Sequence, residues 1–255
     1  MATFTGHLEA QLKLSQLIPF NDGLTLVLVS SAGIYLLTDT ICQLIHPAPD
    51  PDDPTEEPNL SMEHAALSPD NRLLAVGEQD SEHLVLDATG VLIAQIGPQS
   101  SYPHFALFSQ SGDLLIVNSC HFYNGITIGV STTGIAGLVI PANTPDERYT
   151  VIDDQCRVYI GVAARDYYIL GDAYGYIKAF SQAGQLLWQH FLGSTISGIA
   201  LSDDEQTLWV GTYAGILHQL QLGQGHRDNH TIGTGGHYED FRILLWKNEV
   251  QPLVW

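Results

Sequence analysis

The sequence predicts an all-β protein made of repeated units, and two observations carry this prediction. Apolar runs of four to eight residues alternate with clusters of Gly, Asn, Asp and Ser along the 255-residue chain, and β-branched and aromatic residues are frequent in the runs. Related segments also recur about 40 residues apart. Short strands at even spacing, without a sustained helical period, are typical of all-β folds.

The first half of the repeat is a strand end, a polar turn and a second strand. Residues 68–77 (SPDNRLLAVG) match residues 202–211 (SDDEQTLWVG), and residues 109–118 (SQSGDLLIVN) have the same length and pattern. Residues 152–161 are a fourth copy without the serine, and residues 18–29 are a looser fifth copy. These copies predict the same turn at regular points along the chain.

The second half of the repeat is a loop, a third strand, a short turn that ends in Gly, and a fourth strand. Residues 168–189 align without gaps with residues 74–95 at a shift of 94, where Gly171 falls on Gly77. They also align with residues 208–220 at a shift of 40. The repeated unit therefore holds four strands.

Four antiparallel strands in a repeat of about 40–45 residues form the blade of a β-propeller. A four-stranded sheet has two apolar faces, and radial packing of blades buries these faces against each other. We expect one domain over residues 1–255 with six blades, and seven blades are the alternative. The expected blades are 17–48, 62–98, 102–142, 147–193, 196–222, and a last blade of 230–255 in which residues 2–12 supply a strand and close the ring.

These segments resemble known propeller repeats. The form SPDNRLLAVG is similar to the commonest first turn of WD40-type blades, and residues 238–248 (YEDFRILLWKN) resemble the third strand of a WD repeat, with Trp246 at the tryptophan position. Residues 175–189 (GYIKAFSQAGQLLWQ) resemble the repeat of quinoprotein-type propellers. The resemblance implies a propeller fold and leaves the function open.

The charge of the chain restricts the class of ligand. The formal net charge is -19, from 28 acidic and nine basic residues, and residues 14–147 hold 16 acids but only one base, Arg72. Nucleic-acid binding needs Lys and Arg facing phosphates, so we expect neither nucleic acid nor an anionic membrane as the ligand. A basic protein partner would be attracted and steered by this charge.

Three cysteines, Cys42, Cys120 and Cys156, are an odd number without short spacings, as expected of reduced thiols in a cytosol. The N-terminus lacks a signal-peptide pattern, and no apolar stretch approaches the roughly 20 residues of a membrane helix. We expect a cytoplasmic protein that is a monomer or a heterodimer with its partner.

Motifs that could carry chemistry are few. Residues 171–176 (GDAYGY) lack the Lys and the helix of a phosphate loop, and residues 226–230 (HRDNH) sit in a Gly-rich loop without a helical pattern that would place two His on zinc. Residues 50–57 cluster acids among prolines but lack the spacing of a calcium loop. We expect no catalytic residues, metal or cofactor. A hydrolase or lactonase with a metal in the central channel is an alternative, because its ligands would come from separate blades.

The loops point to protein binding. In a propeller, the connections between second and third strands and those between blades emerge on one face, where acids would surround exposed aromatic rings. Such rings supply anchor energy, and acids supply orientation and rate. The expected contact residues are Asp50, Asp52, Asp53, Glu56, Glu57, Glu78, Asp80, Glu82, Phe122, Tyr123, Asp172, Tyr174 and Tyr213.

The sequence thus predicts a non-enzymatic protein-binding propeller with an acidic face. Its charge and lack of catalytic motifs suit an inhibitor, such as a bacterial immunity protein that neutralises a basic toxin. A WD40-like scaffold for multiprotein assembly is the alternative among binding proteins.

Overall fold

A computed structural model describes residues 13–49, 51–53, 57–224 and 230–254 of the chain. The regular elements among these residues are strands, and they form five sheets in which neighbouring strands are almost all antiparallel. The chain folds as two compact units. Unit one comprises Met1–His121 and Thr127–Thr150, and unit two comprises Phe122–Ile126 and Val151–Trp255.

The first two sheets follow the chain in meander order. The first sheet has the order β1-β2-β3-β4, with β1 Leu14–Pro19, β2 Leu26–Ser30, β3 Gly33–Leu37 and β4 Cys42–His46. The second sheet contains β5 His64–Leu67, β6 Leu73–Gly77, β7 His83–Asp87 and β8 Leu92–Ile96. Its outer edge is covered by β12, Val139–Ile140, which runs parallel to β8.

The third sheet has the order β13-β11-β10-β9. Its strands are β9 Tyr102–Phe108, β10 Leu114–His121, β11 Asn124–Ser131 and β13 Tyr149–Asp153. The fourth strand of this sheet therefore comes from a segment that the sequence had placed at the start of the fourth blade.

The last two sheets belong to the second half of the chain. The fourth sheet has the order β14-β15-β16-β17, with β14 Val158–Ala163, β15 Tyr167–Asp172, β16 Tyr176–Ser181 and β17 Leu186–Phe191. The fifth sheet has the order β18-β19-β20-β21-β22, with β18 Ile196–Leu201, β19 Thr207–Thr212, β20 Ile216–Gln221, β21 Tyr238–Leu244 and β22 Leu253–Val254.

The residues that the structure describes therefore form five blades, and the prediction of six or seven was wrong. The two blades expected over 196–222 and 230–255 are a single sheet, because β21 pairs antiparallel with β20, with Leu217 opposite Ile243. The fifth strand of this sheet is β22. The expected role of residues 2–12 in closing the ring lies outside the described residues.

The serine turns explain why the repeat is visible in the sequence. In the turn before β6, the Ser68 hydroxyl donates to Asp70 at 2.7 Å and accepts the Leu73 N–H at 2.9 Å. The turn before β19 repeats this arrangement, with Ser202 accepting the Thr207 N–H at 2.9 Å. A serine that bonds the backbone five residues on fixes the same turn wherever it recurs.

Each unit has its own core between neighbouring sheets. In unit one, residues of the first two sheets form one apolar cluster: Phe20, Val27, Val29, Ile34, Ala65, Leu74, Val76 and Leu86. In unit two, residues of the last two sheets form another: Ile169, Ile177, Ala179, Ile196, Leu208, Val210, Leu220 and Leu222. Burial of each large aliphatic side chain contributes roughly 1.5–3 kcal/mol, so face-to-face packing of sheets stabilises each unit.

Two glycines in different surroundings, Gly97 and Gly198, test the packing of the segment that follows β12 against the second sheet. A Cβ at Gly97 would lie 2.3 Å from the Ala142 backbone nitrogen, whereas a Cβ at Gly198 would meet no heavy atom within 4 Å. We expect Gly97→Ala to lower the free energy of unfolding by about 1–3 kcal/mol, as overpacking does, and Gly198→Ala to change it little. Urea unfolding of both variants measures this, and equal stability of the two would contradict the described packing.

Candidate protein-binding surface

The predicted acidic residues of unit one lie partly around one cleft. Asp50 and Glu56 are outside the described residues, and Asp52 and Asp53 are exposed. Glu57, Glu78 and Asp80 line a cleft of about 340 Å³ whose walls also include Leu44, Pro47, Ala48, Pro49, Pro58 and Leu60. Glu82 is half-buried in the turn between β6 and β7. The structure thus brings together three of these carboxylates over apolar walls.

Glu78 differs from its neighbours because its side chain is largely buried. The residue is 8% exposed, and its carboxylate accepts the Asp80 backbone N–H at 2.9 Å. Burial raises the pKa of Glu78, and the charges of Asp80 and Glu63 act in the same direction against the lowering effect of the backbone hydrogen bond. Glu78 therefore shapes the base of the cleft, while Glu57 and Asp80 are exposed at its mouth.

Asp172, in unit two, does not project to solvent as the sequence suggested. It is 1% exposed, and one carboxylate oxygen accepts the N–H groups of Tyr174 and Tyr176, both at 2.9 Å. The other oxygen accepts the Cys156 thiol at 3.3 Å and lies 3.4 Å from the Lys178 ammonium. Because its carboxylate is used inside the protein, Asp172 is removed from the proposed contact residues.

The predicted aromatic residues are exposed at the tips of strand turns. Phe122 and Tyr123 occupy the turn between β10 and β11, with Phe122 74% exposed. Tyr174 lies between β15 and β16 and is 50% exposed, and Tyr213 lies between β19 and β20 and is 67% exposed. Exposed rings mark an interaction site when they lie together in one patch, so the distances between these turns matter.

Hydrogen bonds join the first two of these turns within unit two. The Tyr123 and Tyr174 rings are 6.1 Å apart between centroids, and the Tyr174 hydroxyl bonds the Asn124 side chain at 3.2 Å. The backbone of Arg157 connects them, since its N–H donates to the Tyr123 carbonyl and its carbonyl accepts the Ala173 N–H. The two tyrosines are therefore held in one orientation relative to each other.

The next turn continues the same row. Thr195 donates its hydroxyl to the Ala173 carbonyl at 2.7 Å and accepts the Tyr213 N–H at 2.9 Å with its own carbonyl. The Tyr213 ring packs edge-on against Tyr159 at 5.7 Å, and the Arg157 guanidinium lies 4.5 Å from the centre of the Tyr159 ring. A guanidinium over a ring is attracted to its face and keeps the ring in place.

The turn after β21 ends the row. The Leu245 N–H donates to the Gly215 carbonyl at 2.9 Å, which attaches this turn to the Tyr213 turn. Leu245 and Trp246 are each 58% exposed. We define the aromatic surface of unit two as the large side chains of this row: Phe122, Tyr123, Tyr159, Tyr174, Tyr213, Leu245 and Trp246.

Sequence reasoning missed the parts of the aromatic surface that depend on distant contacts. Tyr159 reads as one position of an alternating strand, and nothing local links it to Tyr213. Trp246 resembled a packed blade tryptophan, but it follows β21 and is exposed. Lys247 and Asn248 directly after it were the polar residues that could have marked the end of the strand.

No group of three or more His, Cys, Asp or Glu side chains arranged to hold a metal ion occurs in the described part of the chain. The three cysteines, all of which the structure describes, form no disulfide. Within the described ranges no helix is long and apolar enough to cross a membrane. Of the HRDNH segment, the structure describes only His230.

Two solved structures share the arrangement of these strands. The chain is similar to the β-propeller domain of Cps50 (Swd1) from Myceliophteria thermophila, with a TM-score of 0.60 and 11% identity, over 88% of this chain and 70% of that chain. It is also similar to Chaetomium thermophilum Sqt1, solved bound to the N-terminus of the ribosomal protein L10, with a TM-score of 0.59 and 13% identity, over 82% of this chain and 59% of that chain. The chain has a WD40-type β-propeller fold.

No protein-family model and no curated protein sequence matches the chain. The similarity of the fold to these two solved structures confirms the WD40-type resemblance of the turns, although the chain is only 11% and 13% identical to them in sequence. WD40-type propellers hold many functions on one scaffold, so the function has to be inferred from the surface.

Proposed function

We propose that this WD40-like propeller is a non-enzymatic protein-binding module and that a protein partner docks on the aromatic surface. The observation that carries the proposal is the row of exposed large side chains on four turns tied together by hydrogen bonds. Tyr and Trp are the side chains that most often dominate binding energy at protein interfaces. They lose little conformational freedom on binding when, as with Tyr174, the ring is already oriented.

The rigidity of the row supports binding over a purely structural role for the rings. Tyr123 and Tyr174 contact each other, but each is at least half exposed, as is Tyr213. Rings that served only to cap blade edges would be covered by the blades. Their exposed faces, with hydroxyl groups at the rim, suit a partner that buries apolar side chains and accepts a few hydrogen bonds.

We further propose that the partner is basic. The formal charge of -19 would accelerate encounter with a positively charged protein, while the neutral rings of the aromatic surface would set the lifetime of the complex. The cleft formed by Glu57, Glu78 and Asp80 could receive a basic side chain of the partner. An inhibitor of the immunity type, acting in the cytoplasm on a basic toxin, is the finer form of this proposal.

The structural neighbour Sqt1 provides a parallel for the general idea, since it was solved bound to the N-terminus of a ribosomal protein. A propeller of this type can therefore hold a segment of another protein. For this chain the parallel supports a protein partner and does not identify it.

A capture experiment with kinetics tests the proposal. The full chain is immobilised on a resin and incubated with a lysate of its source, and the bound proteins are identified. The association rate of the purified partner with the chain is then measured between about 50 and about 500 mM salt. We expect one stoichiometric basic protein whose association rate falls as the salt concentration rises. A rate that does not change with salt would contradict the basic partner, and many substoichiometric proteins would favour the multiprotein scaffold instead.

A further inference from the structure

A buried charged cluster in unit two lies directly beneath the Tyr174 turn. The Lys178 ammonium, on β16, donates to Asp153 at 2.7 Å and lies 3.4 Å from both Asp172 and the Cys156 sulfur. The side chains of Lys178, Asp153 and Asp172 are 11%, 10% and 2% exposed. The cluster thus places one ammonium and two carboxylates almost out of solvent.

Such a cluster is a poor way to gain stability. Removing ions from water costs several kcal/mol per ion, and the attraction between them often only offsets that cost. Lys178 also lies on the wall of a cavity of about 450 Å³, so its long side chain could have reached solvent. Instead its ammonium turns inward toward both carboxylates. Its position therefore calls for an explanation other than stability.

The hydrogen bonds of Asp172 supply that explanation. One oxygen of its carboxylate faces the cluster, and the other accepts the N–H groups of Tyr174 and Tyr176. Gly175 completes the turn with a φ of +93°, and its Cα packs on the backbone of Ser194 so closely that a Cβ would lie 2.8 Å from the Ser194 nitrogen. The backbone of the turn is thus fixed from below by a carboxylate and from the side by a neighbouring loop.

We propose that Lys178 is a positioning residue: with Asp153 and Cys156 it orients the Asp172 carboxylate, which in turn holds the turn that presents Tyr174. The purpose of holding Tyr174 in the solvent rests on the proposed function. The fixing of the turn by Lys178 is a property of the isolated chain. Burial works against the charge of Lys178, yet the hydrogen bond to Asp153 and the nearby carboxylates raise its pKa above the usual range. The ammonium therefore stays charged throughout the neutral range.

The corresponding turn of the fifth sheet shows what the cluster adds. There Thr212 occupies the place of Asp172, and its hydroxyl bonds the Ile216 carbonyl at 3.3 Å. The Gly215 N–H donates to the Thr212 carbonyl at 3.0 Å. In the Tyr174 turn, the Gly175 N–H donates to the backbone carbonyl of Asp172 at a longer distance, 3.4 Å. The fifth-sheet turn therefore has a threonine in place of the Asp172 carboxylate and is a matched control inside the same unit.

Amide hydrogen exchange of the isolated chain tests the proposal. In Lys178→Met we expect exchange of the Tyr174 and Tyr176 amides to rise at least tenfold, because Asp172 loses the cation that orients it. Exchange of the Gly215 amide and of core amides such as Leu220 should stay as in the wild type. If Lys178→Met does not fold, Asp153→Asn keeps an acceptor for Lys178 and should give a smaller rise at the same two amides.

Two results would overturn the positioning role. One is unchanged exchange at Tyr174 and Tyr176. The other is a uniform rise across all amides of the fourth sheet, which would mean that Lys178 only stabilises the sheet. Since no partner is present in this experiment, its result is independent of the capture experiment, and failure of the proposed function would be recognised there alone.

Discussion

Lowering the pH from 7 to 5 is expected to remove much of the stability of unit one. Three histidines of this unit, His46, His64 and His83, are 4%, 5% and 1% exposed. Burial lowers the pKa of His46 and of His64 from 6.5 to about 4, and it lowers that of His83 well below 6.5, with His64 acting in the same direction. His46 and His64 are therefore neutral in the folded protein at pH 5, and burial shifts the pKa of His83 in the same direction.

The hydrogen bonds show why protonation cannot be accommodated. His64 Nδ1 must donate to the Met62 carbonyl at 2.9 Å, so His64 Nε2 accepts from His83 Nδ1 at 3.2 Å. His83 Nε2 is then left to accept the Ser119 hydroxyl at 3.2 Å. A proton added to His64 Nε2 places two N–H groups face to face, and a proton added to His83 Nε2 forces the Ser119 hydroxyl to turn from donor to acceptor. Neither ring nitrogen of His46 has a hydrogen-bond partner among the described residues.

The change in the free energy of unfolding with pH is set by the number of protons that the folded and unfolded chains bind. The unfolded chain binds protons on these histidines below about pH 6.5, whereas the folded chain does not, so the free energy of unfolding falls as the pH falls. Between pH 7 and 5 the loss is about 2 kcal/mol for each of His46 and His64. The combined loss of about 4 kcal/mol from these two rings approaches the lower end of the stability of a typical domain, about 5–15 kcal/mol, and His83 acts in the same direction. Carboxylates with lowered pKa, such as Asp70 and Asp87, lose their effect only below this window.

Urea unfolding at pH 7, 6 and 5 measures this loss. The variant His46→Leu should reduce the dependence on pH, because it removes one of the buried rings that stay neutral in the folded protein. A free energy of unfolding that is equal at pH 7 and pH 5 would contradict the neutral, buried state of the three rings.

Replacing two rings of the aromatic surface is expected to have the largest effect on binding. Anchor residues at protein interfaces cost about 2 kcal/mol or more on truncation to alanine. Tyr174→Ala combined with Tyr213→Ala should therefore weaken the partner complex on the order of a thousandfold. Both side chains are at least half exposed, so the stability of the free chain should change little. The loss should appear mainly as faster dissociation.

The sequence was informative wherever a feature is local. The turn before β6 was predictable because Ser68 bonds residues within five positions of itself. The exposure of Tyr174 and Tyr213 at turn tips was also visible, since Gly175 directly follows Tyr174 and Gly215 lies two residues after Tyr213, and each glycine allows a tight turn between two strands. These features depend on residues that are close together in the sequence, and each repeat contains the same local pattern.

Features that depend on distant residues were predicted poorly. The blade count was wrong because the pairing of β20 with β21 spans a loop of about 16 residues, and no local pattern shows that both strands share a sheet. Asp172 looked like a loop-tip acid, and only Lys178 and Cys156, brought from other positions, explain its burial. The row from Tyr123 to Trp246 likewise exists only through bonds between turns.

Binding of a protein partner to the aromatic surface is tested by calorimetric titration of the captured partner into three versions of the chain. These are the wild type, the Tyr174→Ala/Tyr213→Ala variant, and a Tyr238→Ala control that removes a tyrosine, 44% exposed, at the opposite end of β21 from Leu245. We predict wild-type affinity for the control and a loss on the order of a thousandfold for the double variant. Equal affinity of all three would contradict binding at this surface.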